Sequence, residues 1–92
     1  MRVRFFAYLR NFTGCAETDV PYEKTVGALA RSLCDTYGDK LCEKLFLPGK
    51  DEQIGPEVII LINGKHFGRL GGMSASLSPD DRVDLFPVVA GG

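Results

Sequence analysis

Val3, Phe5, Ala7 and Leu9 recur at every second position of the opening stretch, residues 2–10. That period lines apolar side chains along one face of a strand, leaving Arg2, Arg4, Phe6, Tyr8 and Arg10 on the other. Thr13 and Gly14 suit a turn, and residues 17–22 predict a returning strand whose Pro21 confines it to an edge or an end. The period then changes. Val26, Leu29, Ala30, Leu33, Cys34 and Tyr37 follow the helical spacing of one buried stripe, with Thr25 placed as N-cap and Gly38 as a left-handed stop. Asp39 is expected to cap a short second helix that turns Leu41, Leu45 and Phe46 inward and ends at Pro48 and Gly49. Residues 50–56 are polar and read as a connector or mobile loop.

Residues 57–62 are β-branched and almost wholly apolar, the pattern of a central strand covered on both faces. Asn63-Gly64 is the dipeptide best suited to a type I′ hairpin turn and leads into a short strand over residues 65–67. A glycine-rich connection follows over 68–76, then a turn over 77–81. The last strand, residues 82–86, points Val83 and Leu85 inward. Neither terminal hairpin nor the main helix can bury its apolar face alone, so the economical arrangement wraps one mixed sheet around the helix. The expectation is an α+β chain, a β-grasp roll over residues 1–92 as a single domain, with another compact α+β sandwich as the alternative.

Composition agrees with one folded core. Of 92 residues, 45% are hydrophobic and 25% charged, too apolar and too weakly charged for disorder throughout. Eleven basic against twelve acidic side chains leave a net charge of −1. This disfavours general nucleic-acid binding. No basic n-region precedes an apolar h-region, and no apolar run, residues 58–62 included, approaches the ~20 residues needed to span a bilayer. The chain is read as soluble and cytoplasmic, with no membrane partner. Cys15, Cys34 and Cys42 lack zinc-knuckle or redox-dithiol spacing, and His66 lies far from them. They are read as free thiols, with Cys34 and Cys42 in packing roles and no metal site expected.

The richest chemical signal is the end, Phe86-Pro87-Val88-Val89-Ala90-Gly91-Gly92. Pro87 is expected to break the strand ladder, after which side chains shrink from valine to alanine to glycine over a flexible tail, residues 87–92. Glycine lacks Cβ, so such a terminus can thread a narrow channel. Its carboxylate would be the reactive group once ATP converts it to an acyl-adenylate, from which AMP leaves on attack by a sulfur or amine nucleophile.

Here the chain resembles the MoaD/ThiS family of ubiquitin-like sulfur carriers, on the MoaD side. The matching pieces are Val3-Arg4-Phe5-Phe6-Ala7 with Leu9, Arg10 and Gly14, then Asn63-Gly64, then residues 77–92 with the family's phenylalanine, proline and double-glycine ending. The resemblance implies that a MoeB- or ThiF-like adenylating enzyme activates Gly92 with ATP, and that a sulfur donor converts it to a thiocarboxylate. The tail then enters a MoaE-like large subunit of molybdopterin synthase to deliver sulfur to the pterin precursor of the molybdenum or tungsten cofactor. In that scheme the chain is a recharged cosubstrate and not an enzyme. It holds no stable cofactor, and the partner consumes the ATP. Gly92 carries the acyl group, Gly91 gives clearance, and Phe86 with Pro87 forms the root of a tail whose Val88, Val89 and Ala90 contact the partner. Asp80-Asp81 replaces a Gly-Asp pair common in the family, and residues 41–56 and 68–76 are long for it.

Other fates for the same tail stay open: a ThiS-like donor for thiazole or another metabolite, and ubiquitin-like attachment to a lysine. In a different class stands a β-grasp interaction module whose tail does no chemistry. If strand alternation holds through residue 10, Phe6, Tyr8 and Phe86 face outward as a docking patch, whereas a register slip would put one or two under a loop. Arg2, Arg4 and Arg10 are read as a solvated strand face. Glu57, Asp80, Asp81 and Asp84 form no paired-carboxylate site and are read as a solvated rim, and no nucleophile, base and orienter set is visible.

Overall fold

A computed structural model describes residues 1–47, 50–54 and 58–88, so Pro48, Gly49, residues 55–57 and residues 89–92 lie outside it. Strand β1 (Arg2–Phe5) pairs antiparallel with β2 (Glu17–Asp19), matching Arg2 with Asp19 and Arg4 with Glu17. Its other edge pairs in parallel with β7 (Arg82–Pro87), matching Val3 with Val83 and Phe5 with Leu85. Strand β5 (Val58–Ile62) lies antiparallel on the far side of β7, and β6 (Lys65–His66) closes the sheet, giving the order β2-β1-β7-β5-β6. This mixed sheet with its helices is the expected β-grasp roll.

Helix α2 (Val26–Tyr37) forms where the period-3.6 stripe predicts it. Thr25 Oγ1 accepts the Ala28 N–H at 3.2 Å, a cap worth about 1 kcal/mol. Gly38, at φ 91°, ends it with a backbone few other residues adopt, although its ψ of −171° is extended, unlike the left-handed helical stop expected. Val26, Leu29, Ala30 and Leu33 join Val3, Phe5, Val58, Ile60, Ile62, Val83 and Leu85 in one core. Each large side chain buried there contributes roughly 1.5–3 kcal/mol by leaving water. Helix α3 (Asp39–Leu45) adds Leu41 and Leu45, and Phe46 is buried just beyond it as expected. Gly38, rather than Asp39, is its N-cap residue.

Four expectations are corrected. The opening strand stops at Phe5, because the chain turns into a 3₁₀ turn over Ala7–Leu9 and a one-turn helix α1 (Arg10–Thr13). Leu9 reaches the core from that turn, while Ala7, at φ 52°, is exposed. The polar connector contains a strand, β4 (Lys50–Ile54), paired with β3 (Phe46–Leu47), because backbone pairing needs no apolar pattern. The central strand is β7. Strand β5 lies next to the edge and alternates buried with half-buried residues, so only one of its faces is covered by the core. Pro87 does not break the ladder but is its last residue, opposite Val58, where a missing N–H is tolerated.

The Asn63-Gly64 turn has the positive φ values, 51° and 84°, that a type I′ hairpin requires. The connection after β6 runs through two short 3₁₀ segments, Phe67–Leu70 and Gly72–Ser74. It is tied to the start of α2 by Val26 N–H to Ala75 O and Leu77 N–H to Lys24 O.

Candidate functional site

Strand β7 leads to the tail, so its last described residues define the site. Parallel pairing with β1 brings the two strands to the same end of the sheet, where the Phe6 N–H donates to Leu85 O at 3.1 Å. Phe6 and Phe86 therefore leave neighbouring strands side by side. Their rings stack with centroids 4.1 Å apart and an interplanar angle of 11°. The Arg4 guanidinium lies 5.3 Å from the Phe6 ring centroid and that of Arg10 lies 5.9 Å away, within the range where a cation is attracted to the ring face. Arg10 Nε also donates to Phe5 O at 2.9 Å. Phe86 stands opposite Ile59 in the ladder, and Pro87 is half-buried beside it. Val88 is 43% exposed. The chain thus reaches the surface directly after a half-buried aromatic and a proline.

Phe6 and Phe86 are brought together as the alternation predicts. Tyr8 is not on that strand face. The early turn carries it to Phe12, 6.2 Å between ring centroids, with Lys44 Nζ 5.9 Å from the Tyr8 ring. It is half-buried and flanks the root from the turn. Val89, Ala90, Gly91 and Gly92, which carry the tail chemistry expected from the sequence, lie outside the described residues.

Below the aromatic stack, Asp84 is buried and not part of a solvated rim. Arg4 donates to it twice, Nε to Oδ1 at 2.7 Å and Nη2 to Oδ2 at 2.9 Å, a bidentate pair across the β1–β7 ladder. Arg82 Nε approaches the same carboxylate at 3.6 Å. The hydrogen bond to Asp84 raises the Arg4 pKa. Arg4 is therefore fixed beneath Phe6 and is not a freely solvated charge. Arg2 likewise meets Asp19 at 3.3 Å. Ile59 and Leu61, half-buried on this same face, were hidden by the uniformly apolar run around them.

Cys15, Cys34 and Cys42 are half-buried thiols packed against the core. Cys15 Sγ lies 3.7 Å from Tyr37 Oη, and burial first, then the hydrogen bond with Cys15, raise the Tyr37 pKa. Among the described residues no cluster of three or more His, Cys, Asp or Glu could hold a metal, and no helix is long and apolar enough to cross a membrane.

Comparison with known proteins bears on the same arrangement. Residues 3–92 match the ThiS family. Small archaeal modifier protein 3 of Haloferax volcanii is 37% identical over 94 residues, which cover 100% of this chain and 98% of that one. The solution structure of small archaeal modifier protein 1 from Methanosarcina acetivorans superposes with a TM-score of 0.83 at 30% identity, covering 99% and 94% of the two chains. A putative molybdopterin converting factor, subunit 1, from Pyrococcus furiosus gives a TM-score of 0.69 at 28% identity over 96% and 95%. A family match over residues 3–92, a relative 37% identical over the whole chain and the mixed sheet described above place this chain in the ThiS family of ubiquitin-like small modifiers and sulfur carriers.

Proposed function

We propose that this chain is an acyl carrier of sulfur, working through the carboxylate of Gly92. The observation that carries the reading is the route of β7: the central strand ends in the half-buried Phe86 and Pro87, and Val88 already stands at the surface. A rigid root followed by residues of falling size suits delivery of the end into a partner's active site. In the partner, a Gly92 oxygen attacks the α-phosphorus of ATP and pyrophosphate leaves. A sulfide equivalent from the sulfur donor then attacks the carbonyl carbon, AMP leaves, and a thiocarboxylate remains.

The open sheet face at Phe6, Phe86 and Ile59 would dock the adenylating enzyme, since stacked aromatics supply rigid contact area. As the small subunit of molybdopterin synthase, the charged chain would then present its thiocarboxylate to the large subunit. The ending and the similarity to the Pyrococcus furiosus converting factor support that destination. Intact-mass analysis after incubation with ATP, a sulfur donor and the adenylating enzyme is expected to show one oxygen of Gly92 replaced by sulfur. A chain that is adenylated but never takes up sulfur would refute the carrier reading.

A second fate is supported by the 37% identical archaeal modifier. The same adenylate, attacked by a lysine amine, releases AMP and leaves an isopeptide. Gly92–lysine linkages in digests of cellular protein would establish it alongside or instead of sulfur transfer.

A further inference from the structure

At the far edge of the sheet, Leu61, Gly64, Lys65, His66, Arg69 and Leu70 line a groove of about 540 Å³ between the β5–β6 hairpin and the Phe67–Leu70 turn. Its floor is apolar: Leu61 is half-buried and Leu70 is 42% exposed. Its rim is cationic, with no acidic side chain among the described residues that line it. Lys65 and Arg69 are exposed and form no ion pair among the described residues, in contrast to Arg2, Arg4 and Arg82, which all meet carboxylates. His66 stacks on Phe67 at 5.2 Å, and its Nδ1 accepts the Gly68 N–H at 3.0 Å. The neutral ring therefore carries its proton on Nε2, where it can donate to an incoming oxygen.

We propose that this groove docks a peptide segment of a partner protein that carries carboxylates beside leucine-like side chains. The cations and the His66 N–H would take the carboxylates, while Leu61 and Leu70 take the apolar groups. A polynucleotide would also meet positive charge here. The apolar floor, the single nearby aromatic pair of His66 with Phe67, and a chain of net charge −1 favour the peptide. The groove borders the face that carries Phe86 and extends outward from it. Leu61 pairs with Asp84, one residue pair along the outer face from Ile59 and Phe86, and β6 lies a further strand outward. A partner could hold the carrier here while the tail is engaged elsewhere.

The test follows amide resonances of the ¹⁵N-labelled full chain on titration with a short peptide of leucines among glutamates. The same peptide with glutamine at each glutamate, and a short oligouridylate, serve as controls. Saturable shifts concentrated at Gly64–Leu70, lost with the glutamine peptide and weakened about tenfold or more by Lys65→Glu with Arg69→Glu, are expected. Both substituted side chains are exposed, and the amide spectrum of the double variant reports its fold directly. Shifts centred on Phe6 and Phe86, equal binding of the glutamine peptide, oligouridylate acting at the same amides as strongly as the acidic peptide, or no shift at all would each overturn the proposal. Neither ATP nor sulfur enters the experiment, so its failure leaves the reading of Gly92 untouched.

Discussion

Arg4 and Asp84, 80 positions apart in sequence, form a two-point hydrogen-bonded pair that locks the first strand against the last. The carboxylate is buried and the guanidinium partly exposed, so the pair's importance is asymmetric. Loss of Arg4 leaves the buried carboxylate with only the 3.6 Å approach of Arg82, whereas replacing both residues with apolar ones removes that penalty. Asp84→Ala is expected to lower the melting temperature by roughly 5–10 °C. Arg4→Met, which leaves the buried carboxylate in place, is expected to lower it further, and Arg4→Met with Asp84→Leu to lose less than the two single changes together. Thermal unfolding followed by circular dichroism checks this.

Phe6 stacks on Phe86 at the tail root. Phe6→Ala should therefore weaken binding to the adenylating enzyme by about tenfold, the scale of losing one aromatic anchor, while the sheet still folds. Calorimetric titration of the two proteins measures it. Unchanged affinity would remove the stack from the docking surface.

Deleting Gly91 and Gly92 should leave the melting temperature unchanged, because the described core ends with residues that precede them. It should abolish ATP-dependent adenylation, read as pyrophosphate release. A truncated chain that keeps full cellular activity would point instead to an interaction module.

Tyr37 has a raised pKa, chiefly from burial. The folded state then holds the phenolic proton more tightly than the unfolded chain. This contribution to stability is complete below pH ~10, the ordinary tyrosine value, and is lost as pH rises through the folded-state pKa. Urea unfolding of the native chain and of Tyr37→Phe across this range is expected to show a steeper decline for the native chain above pH ~10. Parallel curves would remove Tyr37 as the cause.

Gly27 is buried in α2, where an added Cβ would stand 3.2 Å from Met73 O and 3.4 Å from Met73 Cε. Gly27→Leu should cost about 1–3 kcal/mol by overpacking, measured by urea denaturation.

The elements most legible in the sequence were those whose signal is local. Thr25, the α2 stripe and Asn63-Gly64 each carry their own geometry, so each lies where the pattern puts it. The misreadings came where a distant partner decides. Residues 2–10 keep a strand's alternation, yet Leu9 is buried by a turn that the alternation cannot distinguish from a strand. Asp84 looked like a surface acid because the guanidinium that satisfies it belongs to a strand paired in parallel, a relation no local pattern encodes. At the site, Phe6 and Phe86 followed from alternation, and Tyr8 was lost to the same early turn. The groove at Lys65 and Arg69 could not be read at all, since it exists only once the hairpin folds beside the Phe67–Leu70 turn.

The middle position of β7 has a consequence for how the molecule is made. The β1–β2 and β5–β6 hairpins share no ladder until residues 82–87 lie between them. A nascent chain lacking that segment has two unjoined sheet fragments and a helix with no complete surface to rest on, and the long loop closures come last. The strand that joins the two halves of the sheet is thus translated after the other described strands, and the sheet closes only late in synthesis.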